Sequence, residues 1–132
     1  MNVFMDTFAF IAWSNPRDAA YSQVSEYMES FVGRIITTEW VLMELADARS
    51  KSTVRQELVQ FIRRIRTAPF IEIIPFDRPV YDRGFDLFAA RPDKDWSLTD
   101  CISFAVMTQR GLTEALTTDH HFEQAGFRAI FA

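Results

Sequence analysis

Apolar positions recur along the chain at two spacings, and the switching between them predicts strands and helices in alternation. Asn2 to Met5 is a short apolar strand. A helix starting near Pro16, with Asn15 as N-cap, carries the stripe Ala20, Val24, Met28 and Phe31 and stops at Gly33. Arg34 to Thr37 reads as a second strand, and Glu39 to Arg49 returns to helical spacing through Val41, Leu42 and Leu45. The next helix is strongly amphipathic: Val54, Leu58, Phe61, Ile62 and Ile65 form one face, while Arg55, Arg63, Arg64 and Arg66 lie mostly elsewhere. Phe70 to Ile74 is a strand closed by Pro75. Asp77 can cap a helix carrying Val80, Phe85 and Phe88, which Gly84 weakens. After a loop from Arg91 to Trp96, Ser97 caps a helix that runs to Gln109 and ends at Gly111. Ala115 to Thr117 and Phe127 to Phe131 supply two last strands around a short helix at His121 to Ala125.

This order implies crossover connections and a mainly parallel sheet of five strands covered on both faces, an α/β fold of three layers. Ligands of such sheets sit at the carboxyl ends of the strands, where strand order reverses. Composition places everything in one domain, residues 1–132, because 48% hydrophobic residues with 13 Phe are ample for one core and no linker divides the chain. Cys101, the lone cysteine, excludes a disulfide framework and a multi-thiolate zinc site, and suits a reducing, cytoplasmic setting. No segment reads as a secretion signal or a membrane span. The net charge of -4 gives no overall basic field, so a nucleic acid would have to be held by a local site.

Four acids fall where such a site should form. Asp6 follows the first strand, Glu44 lies in the helix after the second, Asp100 opens the helix leading into the fourth, and Asp119 closely follows the fourth. With the first strand central and the second and fourth beside it, all four reach one rim. Oxygen-only clusters of this kind suit hard divalent cations, Mg2+ or Mn2+, and without a cation the carboxylates would repel one another. Taken singly, each acid has an ordinary role: Asp6 and Asp119 as turn or cap residues, Asp100 as part of a capping box with Ser97, Glu44 as a solvated helix position. Asp77 follows an edge strand and reads as a cap only; Asp47 and Asp93 read as solvated charges, and Asp95 is open between solvent and the site.

Four segments carry a family resemblance across nearly the whole chain. Val3-Phe4-Met5-Asp6-Thr7, Thr37-Thr38-Glu39-Trp40-Val41-Leu42-Met43-Glu44, Ser97-Leu98-Thr99-Asp100-Cys101, and Thr117-Thr118-Asp119-His120-His121-Phe122 with Ala125-Gly126-Phe127 resemble, in order, the motifs of PIN-domain nucleases, and specifically VapC-like toxins of type II toxin-antitoxin systems. The resemblance implies an endoribonuclease that hydrolyses RNA, single-stranded or structured, with water activated by Mg2+ or Mn2+. It gives Asp6, Glu44, Asp100 and Asp119 the catalytic and metal-binding role, with Thr7 and Thr118 in support, and implies 5′-phosphate and 3′-hydroxyl products. A cognate antitoxin and a homodimer are the implied partners. Phe8 departs from the family, whose members often carry a small or polar residue there.

Around the acids, Arg49, Lys51 and Arg55 are candidates for RNA contact but read first as solvated surface. Trp96 can stack on a base or pack as a staple. His120 and His121 can contact phosphate or a metal but read first as surface, outside the catalytic set. The Val54 to Ile65 helix can bury its face in the core, in a homodimer or against an antitoxin. The competing functions are a PIN ribonuclease of RNA processing, a non-catalytic PIN-like binding domain, and an aspartate-based phosphotransferase or receiver. The last lacks its lysine, since Lys51 and Lys94 are both far from a late strand end.

Overall fold

The computed structural model describes residues 1–132. Strands β1 (Asn2–Met5), β2 (Arg34–Thr38), β3 (Ile71–Ile74), β4 (Glu114–Leu116) and β5 (Arg128–Ala129) form one sheet in the order β3-β2-β1-β4-β5. Every neighbouring pair is parallel, with Phe4 of β1 beside Ile36 of β2 on one side and Ala115 of β4 on the other. Central parallel strands are covered on both faces and so read as continuous apolar runs; Val3, Phe4 and Met5 are fully buried. The chain builds outward from β1 to β3, then returns across β1 to add β4 and β5. The reversal between β1 and β4 opens a crevice at their carboxyl ends.

Seven helices, α1 (Thr7–Ser14), α2 (Tyr21–Ser30), α3 (Glu39–Ala48), α4 (Ser52–Thr67), α5 (Arg78–Ala90), α6 (Leu98–Arg110) and α7 (His120–Gln124), complete a three-layer α/β/α architecture. One apolar cluster runs through it, with Phe104 at 4.9 Å edge-on to Phe122 and 5.1 Å edge-on to Trp96. None of the helices is long and apolar enough to cross a membrane.

Two elements differ from the sequence reading, each for a local reason. Helix α1 escaped it because Thr7-Phe8-Ala9-Phe10-Ile11-Ala12-Trp13-Ser14 is apolar on nearly every side and buries Thr7, Ala9, Phe10 and Ala12, leaving no polar face to reveal a period. Asn15 caps no helix at Pro16. Its side chain accepts from the Arg17 N–H, and Asp18 accepts from the Ala20 N–H, so the pair builds a turn and α2 starts only at Tyr21. The apolar face of α4 is core: Leu58, Phe61 and Ile65 are buried, and Trp13 meets Phe61 edge-on at 5.6 Å.

On α5 the inward residues are Val80 and Gly84, whereas Phe85 and Phe88 are 47% and 44% exposed. Gly84 lets α5 lie directly on α6, since a Cβ there would stand 2.4 Å from Ile102 Cγ1 and 2.7 Å from Ile102 Cα. Helix propensity alone would make Gly84→Ala stabilising by about 1 kcal/mol. The packing reverses the sign, and the expected result is a loss of about 1–3 kcal/mol in urea unfolding. A stabilised variant would show that the two helices can separate at no cost.

Candidate active site

Asp6 sits where β1 passes into α1, 6% exposed, its N–H directed at the Leu116 carbonyl of β4. The geometry is that of a helix N-cap, yet the side chain makes no capping bond. It is held instead by the Thr117 hydroxyl, which donates to Oδ2 at 3.0 Å, and by the Thr7 backbone. Glu44 lies on α3, whose start is fixed by Thr38 accepting from the Val41 N–H at 3.1 Å. Thr7 Oγ1 donates to Glu44 Oε1 at 2.5 Å and so ties α1 to α3 beside Asp6.

Asp100 belongs to a complete capping box at the start of α6: Ser97 Oγ accepts from the Asp100 N–H at 3.0 Å, and Asp100 Oδ2 accepts from the Ser97 N–H at 3.2 Å. Asp119 caps α7, accepting from the His121 N–H at 2.9 Å, while its own N–H donates to Thr117 Oγ1 at 3.0 Å. Capping thus orients Asp100 and Asp119 and is compatible with a second use, because each bond engages only part of a carboxylate's accepting capacity.

Asp6 and Asp100 feel the neighbouring acids. Burial pushes Asp6 up to about 7, and the charges of Asp100 and Glu44 add to the rise, against hydrogen bonds from Thr7 and Thr117. Asp100 is raised by its own burial and by Asp119, against the Ser97 bond and His121. A donor set in which two carboxylates resist ionisation is chemically matched to a divalent cation.

Two residues outside the expected set join the cluster. Thr117, not Thr118, is the supporting threonine: it is fully buried and bridges Asp6 to the Asp119 backbone, while Thr118 is exposed and its hydroxyl has no partner. The register of the strand end decides between them, and no spacing rule separates adjacent threonines. His121 is half-buried with Nδ1 3.3 Å from Asp100 Oδ2 and 3.4 Å from Asp119 Oδ1. Its approach to Asp100 is tertiary, between α7 and α6.

The remaining candidates stand apart. Asp77 caps α5 through the Val80 N–H; Asp93 pairs with Arg91 at 3.0 Å; Asp47 and Asp95 are exposed. Arg49 donates to Ser14 Oγ at 2.9 Å, and Arg55 to the Ser50 carbonyl, so both are engaged by the chain itself; Lys51 is exposed. Trp96 is packed and buried, its Nε1–H donating to Gln124 at 3.0 Å, which gives it the staple role rather than base stacking. His120 is exposed, 3.8 Å from Asp119. Phe8 packs toward Phe131 at 6.4 Å.

Thr117→Val should lower any activity of the site by about 10–100-fold, because it frees Asp6 and Asp119 together, with Thr118→Val near wild type. Equal effects in steady-state assays of the two variants would refute the assignment.

Known proteins share this architecture. The chain is 23% identical over 125 residues to the 23S rRNA-specific endonuclease VapC20 of Mycobacterium tuberculosis, with 95% of each chain covered. The crystal structure of that protein, described as a Sarcin-Ricin loop cleaving toxin, superposes with a TM-score of 0.88 over 97% of this chain and 98% of that one, at 22% identity. VapBC2 from Rickettsia felis, bound to a DNA fragment from their promoter, matches at 0.69 over 98% and 97%, at 15% identity. FitAcB from Neisseria gonorrhoeae matches at 0.67 over 98% and 95%, at 18% identity. At these identities the superpositions establish the fold. The model of the PIN domain family matches residues 3–128, and the chain belongs to that family.

Proposed function

We propose that the protein is a divalent-cation-dependent endoribonuclease acting through Asp6, Glu44, Asp100 and Asp119, the toxin of a toxin-antitoxin pair, with residues 1–132 as one nuclease domain. The observation that carries this reading is that acids from four connections neighbour one another in pairs around the β1/β4 crevice, Asp6 with Asp100 and Glu44, and Asp100 with Asp119. A domain kept only for binding would gain nothing from so costly an arrangement, and Asp6→Asn would relieve it.

Mg2+ or Mn2+ held by the four acids would supply Lewis-acid stabilisation of the phosphodiester and a water of lowered pKa. The chain's own part is preorganisation. Thr117 and the Thr7 backbone fix Asp6, the Thr7 hydroxyl fixes Glu44, Ser97 fixes Asp100, and the His121 N–H fixes Asp119, so no carboxylate has to be reoriented when the substrate arrives. Near neutrality the Asp6 carboxyl is only part-ionised, and a cation held beside it would favour the ionised form.

The likeness to VapC20 and VapBC2 supports the toxin reading and a cognate antitoxin as partner. An apolar cleft of about 670 Å³ between α1, α2 and α4, with Trp13, Tyr21, Phe61 and Phe70 in its wall and Glu57 and Arg64 among its polar groups, is a surface for such a partner. For the homodimer, the exposed Phe76, Phe85 and Phe88 beside Trp40 and Tyr81 are a better face than α4, whose buried residues Leu58, Phe61 and Ile65 are core.

The test is RNA incubated with purified protein and Mg2+, Mn2+ or EDTA, beside Glu44→Gln. Cleavage that needs the cation, fails in the variant and leaves 5′-phosphate ends supports the reading. Cleavage in EDTA, or 2′,3′-cyclic phosphate ends, would sink it, since those ends come from attack by the RNA's own hydroxyl.

A further inference from the structure

His121 reaches two of the acids from one position. Its backbone N–H donates to Asp119 Oδ1 at 2.9 Å, and its ring Nδ1 meets Asp100 Oδ2 at 3.3 Å across the boundary between α7 and α6. The contact with Asp100 is an ordinary hydrogen bond, and its direction follows from the neighbours. Oδ2 already accepts from the Ser97 N–H at 3.2 Å, so the ring faces an acceptor and the hydrogen lies on Nδ1.

Both donors fall on the same oxygen. Asp100 Oδ1 has no partner in the chain and is not sealed from solvent. The last torsion of an aspartate side chain is soft, so one bond from the capping box leaves the carboxylate free to swing, and a second donor from another helix removes that freedom. The fold itself has little need of the second bond. Helix α7 is anchored by the fully buried Phe122, edge-on to Phe104 at 4.9 Å, and by Gln124, which accepts from Trp96 Nε1–H at 3.0 Å. The His121 side chain, 22% exposed, adds little packing to these contacts.

We infer that His121 is a positioning residue of the nuclease site, its Nδ1–H holding the Asp100 carboxylate in the one orientation that leaves Oδ1 free for a ligand. This rests on the reading of Asp100 as a working acid of that site. His120 has no such part: its side chain is 73% exposed and approaches only Asp119, at 3.8 Å.

Two measurements test the role. Long-range 1H–15N correlation spectra of the metal-free protein read the tautomer of the neutral His121 ring. Hydrogen on Nδ1 is the expected result, whereas free histidine prefers it on Nε2. A ring with its hydrogen on Nε2 overturns the assignment, because Nδ1 then has nothing to donate. Steady-state cleavage of total RNA with Mg2+ present reads the consequence. His121→Leu should lower kcat about tenfold with KM changed less than about twofold. His121→Asn, whose side-chain N–H branches from the same carbon as Nδ1, should recover kcat to within about threefold of wild type. His120→Leu should match wild type. If His121→Leu does not fold, His121→Gln takes its place with the same loss expected, since its donor sits one carbon further out. A change in KM alone overturns the role by making the ring an RNA contact, and His121→Asn no better than His121→Leu overturns it by making the ring a packing group. Wild-type protein that cleaves no RNA while showing the expected tautomer is the separate failure of the nuclease reading, and it takes this role with it.

Discussion

Asp6→Asn should raise the melting temperature of the metal-free protein at pH 8 while lowering RNA cleavage by more than about 100-fold. The two effects have one cause. Asp6 is 6% exposed and its carboxyl is raised from 3.8 to about 7, chiefly by burial and then by Asp100 and Glu44. Ionising it in the folded state therefore costs about 4 kcal/mol relative to the unfolded chain, at about 1.4 kcal/mol per unit. An amide carries no such cost. Its oxygen can accept the Thr117 hydroxyl that now serves Oδ2, and its NH2 faces neighbouring carboxylates instead of adding to their repulsion. A rise of about 5 °C or more follows at pH 8, shrinking to nothing near pH 4, where the carboxyl is already neutral in the folded protein. The cleavage loss reflects removal of the central acid of the set. Calorimetry at both pH values with a cleavage assay checks this. A variant destabilised equally at pH 4 and pH 8 would show that the charge of Asp6 is not what the fold resists.

Much of this site was legible before any coordinates, and the residues that were not share a physical reason. Ser97 with Asp100, Gly111 at a left-handed C-cap and Asp77 before α5 are local devices, decided within four residues, and appear in the structure as read. The sheet order could be argued because only a central β1 flanked by β2 and β4 brings acids from four connections to one rim. Periodicity fails where a helix has no wet side, which hid α1. It also fails where an inward glycine does the packing, so that Phe85 and Phe88 took the place of Gly84 on the expected inner face. Thr117 and His121 needed the third dimension: one turns on which of two adjacent threonines faces Asp6, the other on how α7 lies against α6.

Stability should depend on pH and Mn2+ jointly. A group raised in the folded state favours folding fully below its unfolded value and loses that contribution as pH climbs through the folded one. For Asp6 the window runs from about 4 to about 7, so the metal-free protein should lose about 3 kcal/mol between pH 5 and pH 8 from this group alone. Asp100, also raised, acts in the same direction. A cation that requires the ionised acid competes with the proton, so its apparent affinity weakens about tenfold for each pH unit below 7. With Mn2+ at 100 times its Kd at pH 8, stabilisation is about 2.7 kcal/mol, whereas the same concentration at pH 5 is near Kd and gives only about 0.4 kcal/mol. Mn2+ should therefore flatten the pH profile by lifting its alkaline side, and the lift should vanish in Asp6→Asn. Urea unfolding at pH 5 and pH 8, with and without Mn2+, reads all four corners. An equal shift at both pH values would place the ion away from Asp6, because a cation seated on that carboxylate has to displace its proton first.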